Sequence, residues 1–287
     1  MCSSDLKHIP GAPQVNVENR PGAGGRVAAN WLYNIAPRDG TVIGQLGPWV
    51  AQEPMWGVSG VQFDATKFHW LASANRETSS CAFWSRASFN DFASLKTREA
   101  VVGAAGTGTA MSTDALALNA LTGTRMKLVQ GYKGSREAMM AGEGGENDGA
   151  CGLWASAIKT VFSDYVKRGA LKVVVQMGLS SHPEFADAPN AVDMVTAPDD
   201  RLAMELVFGQ LDFARPFLLP PGAPAERVAL MRKAFSDALA NPEFLATARA
   251  RQLEVRPLDG EAIQALVTRL YASPRPVVEK VKAMLGY

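Results

Sequence analysis

No apolar run in the 287-residue chain approaches the ~20 residues a helix needs to cross a bilayer, so no segment reads as a transmembrane span. A field of one sign is also lacking. The 29 Lys and Arg against 28 Asp and Glu leave a formal charge of +1, which suits no nucleic-acid partner. Histidine is scarce: His8, His69 and His182 have no Ser, Cys or carboxylate at a motif spacing, and His69, between Phe68 and Trp70, reads as a satisfied strand residue. The patterns Gly-x-Ser-x-Gly, Gly-x-x-x-x-Gly-Lys-Ser/Thr and His-Glu-x-x-His are absent. Gly106-x-Gly108 lacks the third glycine of a dinucleotide fingerprint. The chain therefore reads as a non-enzyme with no cofactor and no metal. There is no Cys-x-x-Cys, which argues against a zinc ribbon or a thioredoxin motif. Of three cysteines, Cys2 belongs to the opening Met1-Cys2-Ser3-Ser4-Asp5-Leu6, which matches a translated sequencing adaptor and reads as artefact. Cys81 and Cys151 stand in apolar strand contexts. They pair if those strands are neighbours, or stay as buried thiols.

What is present is an ordinary globular composition, 47% hydrophobic and 20% charged, in a chain long for one core and comfortable for two lobes. Asn19-Arg20-Pro21-Gly22-Ala23-Gly24-Gly25 is the most distinctive stretch. A proline that fixes φ precedes three glycines, so backbone conformation dominates. Residues 15–18 alternate apolar and polar as a half-buried strand does, while Val27, Ala28, Trp31, Leu32 and Ile35 recur at helical spacing. Strand, glycine turn and helix form a junction that presents N–H groups to an anion, or else the glycines only let the helix pack closely on its sheet.

Residues 41–46 read as a buried strand whose exit, holding Gln45 and Gly47, is a loop of the kind that α/β sheets turn toward ligands. Residues 51–66 read as irregular, 68–73 and 80–84 as strands, and 90–95 as a short helix after a cap at Ser88. Strands at 100–103, 126–130, 148–153 and 171–176 alternate with helices at 110–121, 136–141 and 155–162, which predicts a mostly parallel sheet. Residues 178–200 read as irregular and 202–207 as helix. An extended return follows at 211–219, and a helical tail covers 225–240, a helix capped by Asn241, 261–271 and a last helix closed by Gly286. The division expected is 1–87 for the first lobe, 88–210 for the second, and 211–287 for a return to the first. Two crossings of this kind permit hinge closure around a ligand.

Thr107, Gly108 and Thr109 precede one helix; Gly134 and Ser135 precede another. If both helices follow strands of one sheet, their N-termini face the same side and together favour a small anion, or else the hydroxyls are only caps. Arg215, before Pro216 in an apolar stretch, requires a partner, either a ligand carboxylate or Asp212. Tyr132 and Trp154 read as pocket walls or as core.

Three segments carry a resemblance. The glycine turn with its helix and Ala36-Pro37-Arg38-Asp39-Gly40-Thr41, then Gly131-Tyr132-Lys133-Gly134-Ser135, then Pro220-Pro221-Gly222-Ala223-Pro224 resemble, in order and spacing, the extracytoplasmic receptors of tripartite tricarboxylate transporters, the Bug or TctC type. The resemblance covers nearly everything after residue 13. It implies an α/β, type II periplasmic binding protein-like fold of two lobes, with the first strand and helix of lobe 1 missing from an N-terminally truncated chain that carries no signal peptide. It further implies a monomeric periplasmic receptor for a small organic acid, with the membrane components of a transporter as partners. Members that bind amino-acid-like ligands carry an acidic residue where this chain has Gly152, so the resemblance implies a carboxylate without an amine. An α/β enzyme, or a fragment that no longer binds, are the alternatives.

Overall fold

The computed structural model describes residues 8, 9, 11 and 13–287; the opening hexapeptide lies outside them. The chain forms two units. One ends its opening segment at Arg76 and resumes over Asp212–Ala272, while the other comprises Glu77–Leu211 and Ser273–Tyr287. In chain order the first unit contributes α1 (Arg26–Asn34), β1 (Gly44–Gln45), α2 (Glu53–Trp56) and β2 (His69–Ser73). The second contributes β3 (Ser79–Trp84), α3 (Ser94–Thr97), β4 (Ala100–Ala104), α4 (Ala110–Thr122), β5 (Met126–Gln130), α5 (Ser135–Glu143), β6 (Gly149–Trp154), α6 (Ala155–Thr160), α7 (Ser163–Lys167), β7 (Leu171–Met177), α8 (Ala191–Met194) and α9 (Pro198–Phe208). The chain returns to the first unit for β8 (Pro216–Leu219), α10 (Ala225–Ala240), α11 (Pro242–Ala250), β9 (Leu258–Asp259) and α12 (Gly260–Tyr271), and α13 (Arg275–Leu285) goes back to the second.

The sheet of the second unit runs β5-β4-β6-β3-β7. β4 pairs in parallel with β5 and β6, and only β3, antiparallel between β6 and β7, runs the other way. This is the mostly parallel sheet that the alternation predicts. The helices form where apolar residues repeat at helical spacing and stop at glycines: α4 ends at Gly123 and α13 at Gly286, both left-handed. The core beneath the sheet gathers Ala82, Trp84, Met111, Met139, Leu153 and Ile158 from strands and helices alike.

The sheet of the first unit runs β1-β8-β2-β9 with every pair antiparallel. β8 arrives from the return crossing and lies between two strands of the opening segment. Leu71 and Leu219 then pack with Ala223, Val228 and Met231 of the chain leading into and along α10. On α12, Ile263, Leu266, Val267 and Leu270 make the buried stripe. The Asn241 side chain accepts from the amides of Glu243 and Phe244, the cap expected for a helix opened by Pro242.

Several expectations are corrected. Residues 15–18 form no strand: Val15 and Val17 are 51% and 67% exposed, so their alternation marks no buried face. The strand expected over 41–46 is only Gly44–Gln45, the part that reaches β8. Ser88 caps no helix. It lies at φ 58 after a short 3-10 turn, and α3 starts later, at Ser94, whose amide donates to Asp91. Residues 51–66 and 178–200 are less irregular than expected, holding α2, α8 and the start of α9. The first crossing falls at Arg76–Glu77 and not near residue 88, because β3 pairs with β6 and β7. The last helix leaves the first unit because its buried Val277, Val281 and Leu285 pack on α4 and α9.

Cys81 and Cys151 are joined. β3 and β6 are adjacent antiparallel strands, and the two residues fall between the register pairs Ser80↔Leu153 and Ala82↔Ala150, with their Cα atoms 4.0 Å apart. Of the two readings of these cysteines the disulfide is the correct one. Both residues are fully buried.

Candidate functional site

The parallel register of β4 and β5 sets Ala104 opposite Gln130, so the loops that leave these strands emerge from one edge of the sheet. Loop 105–109 leads to α4 and loop 131–134 to α5. β6, parallel to β4, ends at the same edge, where Gly152 and Trp154 lie. Eight of the residues expected at a site therefore share one edge of the second unit: Thr107, Gly108, Thr109, Tyr132, Gly134, Ser135, Gly152 and Trp154. Gln45, Gly47 and Arg215 belong to the first unit.

Loop 105–109 is tied down at one atom. The Gly106 carbonyl accepts the Thr109 hydroxyl at 2.7 Å, the Ser112 hydroxyl at 2.8 Å and the Thr109 amide at 3.3 Å. Thr109 is the N-cap residue of α4, yet its hydroxyl is turned back to Gly106 and makes no cap bond. The cap reading of Thr109 is thus wrong, and α4 begins with no side-chain cap and no acidic residue in its first turn. A helix start of that kind favours an anion. Ser112 was missed in the sequence, although it stands three residues after Thr109 in a hydroxyl-rich run. Thr107 and Gly108 are exposed.

The second junction differs. Gly134, not Ser135, is the cap residue of α5, and Ser135 is the first helical residue. The Glu137 carboxylate in the first turn accepts the Lys133 amide at 2.7 Å, so this helix start already has an anion of its own. Tyr132 is half-buried. Its amide donates to Ala104, its hydroxyl accepts from Asn147 at 3.4 Å, and its ring lies over Gly103, so core packing holds it in place. Trp154 is half-buried, caps α6 and stands opposite Ser79.

Gly152 has a structural role that its sequence context did not reveal. It lies at φ +71, and a Cβ there would stand 2.5 Å from the Ala110 carbonyl carbon and closer still to the Met111 amide. The main chain of β6 thus presses directly on the first turn of α4, and no side chain, acidic or otherwise, fits between them. Gly152→Ala should cost about 3 kcal/mol through the left-handed conformation and the overlap together, read as a lower urea midpoint at unchanged slope.

On α4, Asp114 is buried and accepts hydrogen bonds from Ser79 and Thr113. Burial raises its pKa to about 7, against the lowering effect of those two hydroxyls.

In the first unit, the Gln45 side chain donates to the Leu46 carbonyl at 3.0 Å. A Cβ on Gly47 would overlap the Trp49 indole, and one on Gly25 would stand 2.7 Å from the same ring. The glycine turn, left-handed at Gly24 and Gly25, thus serves close packing, against Trp49 and not against a sheet. Arg215 is exposed, so the cost foreseen for a charge in an apolar stretch does not arise. Its guanidinium donates to Ala214 at 2.9 Å and its amide to Ser73, while Asp212 stands 3.8 Å from Arg76. Among the histidines, His69 is not the satisfied strand residue expected: its Nε2 is buried without a hydrogen-bond partner, and burial, then Arg232, lowers its pKa. Among the described residues no group of three His, Cys, Asp or Glu is placed to hold a metal, and no helix is long and apolar enough to cross a membrane.

No family model and no curated protein sequence matches the chain. Solved structures do. The chain is similar to a TctC solute-binding protein from Polaromonas, solved without ligand, with a TM-score of 0.74 at 19% identity over 99% of this chain and 90% of that one. It is similar to Rpa4515 from R. palustris with adipate, with a TM-score of 0.66 at 17% identity over 99% and 90%. MatC from Rhodopseudomonas palustris with bound malate gives 0.62 at 18% identity over 99% and 91%. In two units between which the chain passes three times, once more than the two crossings expected because α13 returns to the second, and with the junctions of the second unit on one sheet edge, this chain has the type II periplasmic binding protein-like fold of the TctC and Bug solute-binding proteins.

Proposed function

We propose that the protein is an extracytoplasmic receptor that binds a small organic carboxylate and delivers it to the membrane components of a tripartite tricarboxylate-type transporter. The observation that carries this reading is the start of α4. Its N-cap hydroxyl is spent on Gly106, its first turn holds no acidic residue, and the second junction of the same sheet edge stands beside it. One such helix start favours a negative charge by ~0.3–1 kcal/mol when exposed and by up to ~2 when partly buried. Thr107 and Gly108 are the residues we assign to the ligand carboxylate, with Ser135 and Gly134 flanking it, while Thr109, whose amide and hydroxyl both go to Gly106, holds the loop in place. α5, which has Glu137 in its first turn, contributes less. Two similar structures hold dicarboxylates, adipate and malate. The buried Cys81–Cys151 disulfide suits an oxidising compartment such as the periplasm.

With position 152 closed to side chains, an ammonium group finds no carboxylate there, and we assign a ligand without an amine. The test is thermal shift and calorimetric titration with malate, adipate, benzoate and aspartate. An acid at about 100 times its Kd adds ~2.7 kcal/mol of stability and raises Tm accordingly. Expected is a clear rise with a dicarboxylate or aromatic acid and little with aspartate. A larger rise with aspartate refutes the assigned ligand class, and no rise with any acid refutes the receptor reading.

A further inference from the structure

In the first unit α10 packs on β2 and carries Arg232 and Ser236 one turn apart, on the same face. Both line a cavity of about 480 Å³, bounded by β2 on one side and by residues 257–261, which hold β9 and open α12, on another. That volume is in the range of small-molecule sites. Its lining lies wholly within the first unit and includes none of the residues already assigned to a ligand. Buried Leu71 and Leu239, with Pro257 and Leu258, make the apolar wall. The polar end faces solvent, since Ser236 is exposed and the Glu261 side chain is 83% exposed.

Arg232 is held at that end with donors to spare. Its Nε donates to the Trp70 carbonyl at 3.0 Å; among the described residues this is its only hydrogen bond, and Glu261 is its only ion-pair partner, 3.5 Å away. A pair with so exposed a carboxylate holds little. The field of Arg232 is accordingly not cancelled: after burial it is what lowers the pKa of His69 on β2, and no carboxylate opposes it there. The other charges of the lining are engaged. Asp259 accepts the Ala262 amide at 2.7 Å as the cap of α12, and Lys233 pairs with Asp237 at 2.7 Å. With Nε anchored to the main chain, the two Nη groups remain to receive a carboxylate bidentately.

We infer that this cavity is a second, separate ligand site, which takes a monocarboxylate with an unbranched aliphatic tail, its carboxylate on Arg232 beside the Ser236 hydroxyl and its tail along Leu71, Leu239 and Leu258. Burial of the tail drives binding, and the guanidinium fixes which end enters first. An alcohol of the same length lacks the charge, and an amine is repelled by Arg232. A dicarboxylate would bring its second charge against the apolar wall, so this site selects a different acid from the one proposed for the second unit.

The experiment is calorimetric titration of octanoate into wild type, Arg232→Gln and Ser236→Trp, with octanol and octylamine as controls and the Tm of each unliganded protein alongside. Arg232→Gln removes the charge. Ser236→Trp, at an exposed helix position, fills the cavity and leaves Arg232 in place. Expected is a Kd about tenfold weaker for octanoate in Arg232→Gln, no measurable binding in Ser236→Trp, and an unliganded Tm unchanged in Ser236→Trp. Octanoate that binds both variants as it binds wild type occupies some other place and overturns the inference. Equal binding of octanol overturns it too, as does a wild-type protein that takes no octanoate. If Arg232→Gln does not fold, Ser236→Trp decides alone. The receptor reading is tested by other acids at other residues, so failure of either leaves the other standing.

Discussion

Relative to an Asp114→Asn variant, the wild-type protein is expected to lose up to ~4 kcal/mol of unfolding free energy as the pH is raised from 4 to 8. Asp114 stands on α4, buried, with Ser79 of β3 and its neighbour Thr113 as hydrogen-bond partners. Burial lifts its pKa from 3.8 to about 7. Between those values the native state keeps a proton that the unfolded chain has released, so each increment of pH favours unfolding. The contribution is full below 3.8 and is gone once the pH has passed about 7. Asparagine keeps the shape and can accept the Ser79 hydrogen bond, but does not titrate. Urea unfolding of both proteins across the range measures the difference, and parallel curves would show that the carboxyl is ionised in the native state throughout.

Replacing both Cys81 and Cys151 by alanine is expected to cost about 4 kcal/mol. The bridge spans a sequence separation of 70 residues, and the chain-entropy model assigns roughly that much to a loop of this length. The cost falls on the second unit, because the bridge joins two central strands, β3 and β6, and β3 is buried along its whole length. It also lies next to Gly152, where β6 presses on the first turn of α4, so loss of the bridge should loosen the site edge along with the sheet. Non-reducing urea unfolding of wild type and double variant gives the number. A loss below about 1 kcal/mol would mean that the denatured chain gains little freedom when the bridge is removed.

Much of the second unit was legible in advance because its signals are local. Strands such as Ala100–Ala104 and Met126–Gln130 and the helix from Ala110 to Gly123 lie where period and glycine predict them, and in the first unit the helix opened by Pro242 lies where its cap predicts it. The N-terminal region was less legible. The Val15–Val17 alternation is a local pattern too, but a strand exists only where a neighbour supplies hydrogen bonds, and no described strand pairs with these residues. The same limit misplaced β3, whose apolar character was plain while its partners were not. At the site, the hydroxyl-rich loop and its place before a helix could be seen, but the direction of the Thr109 hydroxyl could not. Thr109 satisfies the residue preference for a cap and spends its hydrogen bond elsewhere.

By itself the sequence determined the periodic elements, the glycine turns, the near-neutral charge and the three segments that resemble a carboxylate receptor, since each depends on residues within a few positions of one another. Only the tertiary structure decided that Cys81 meets Cys151, that Gly152 is a point of backbone contact, that Asp114 is buried and that Arg232 lines a cavity with Leu71 and Leu258. These depend on which strands lie side by side and which helix crosses which, and that is set by packing between segments far apart in the chain.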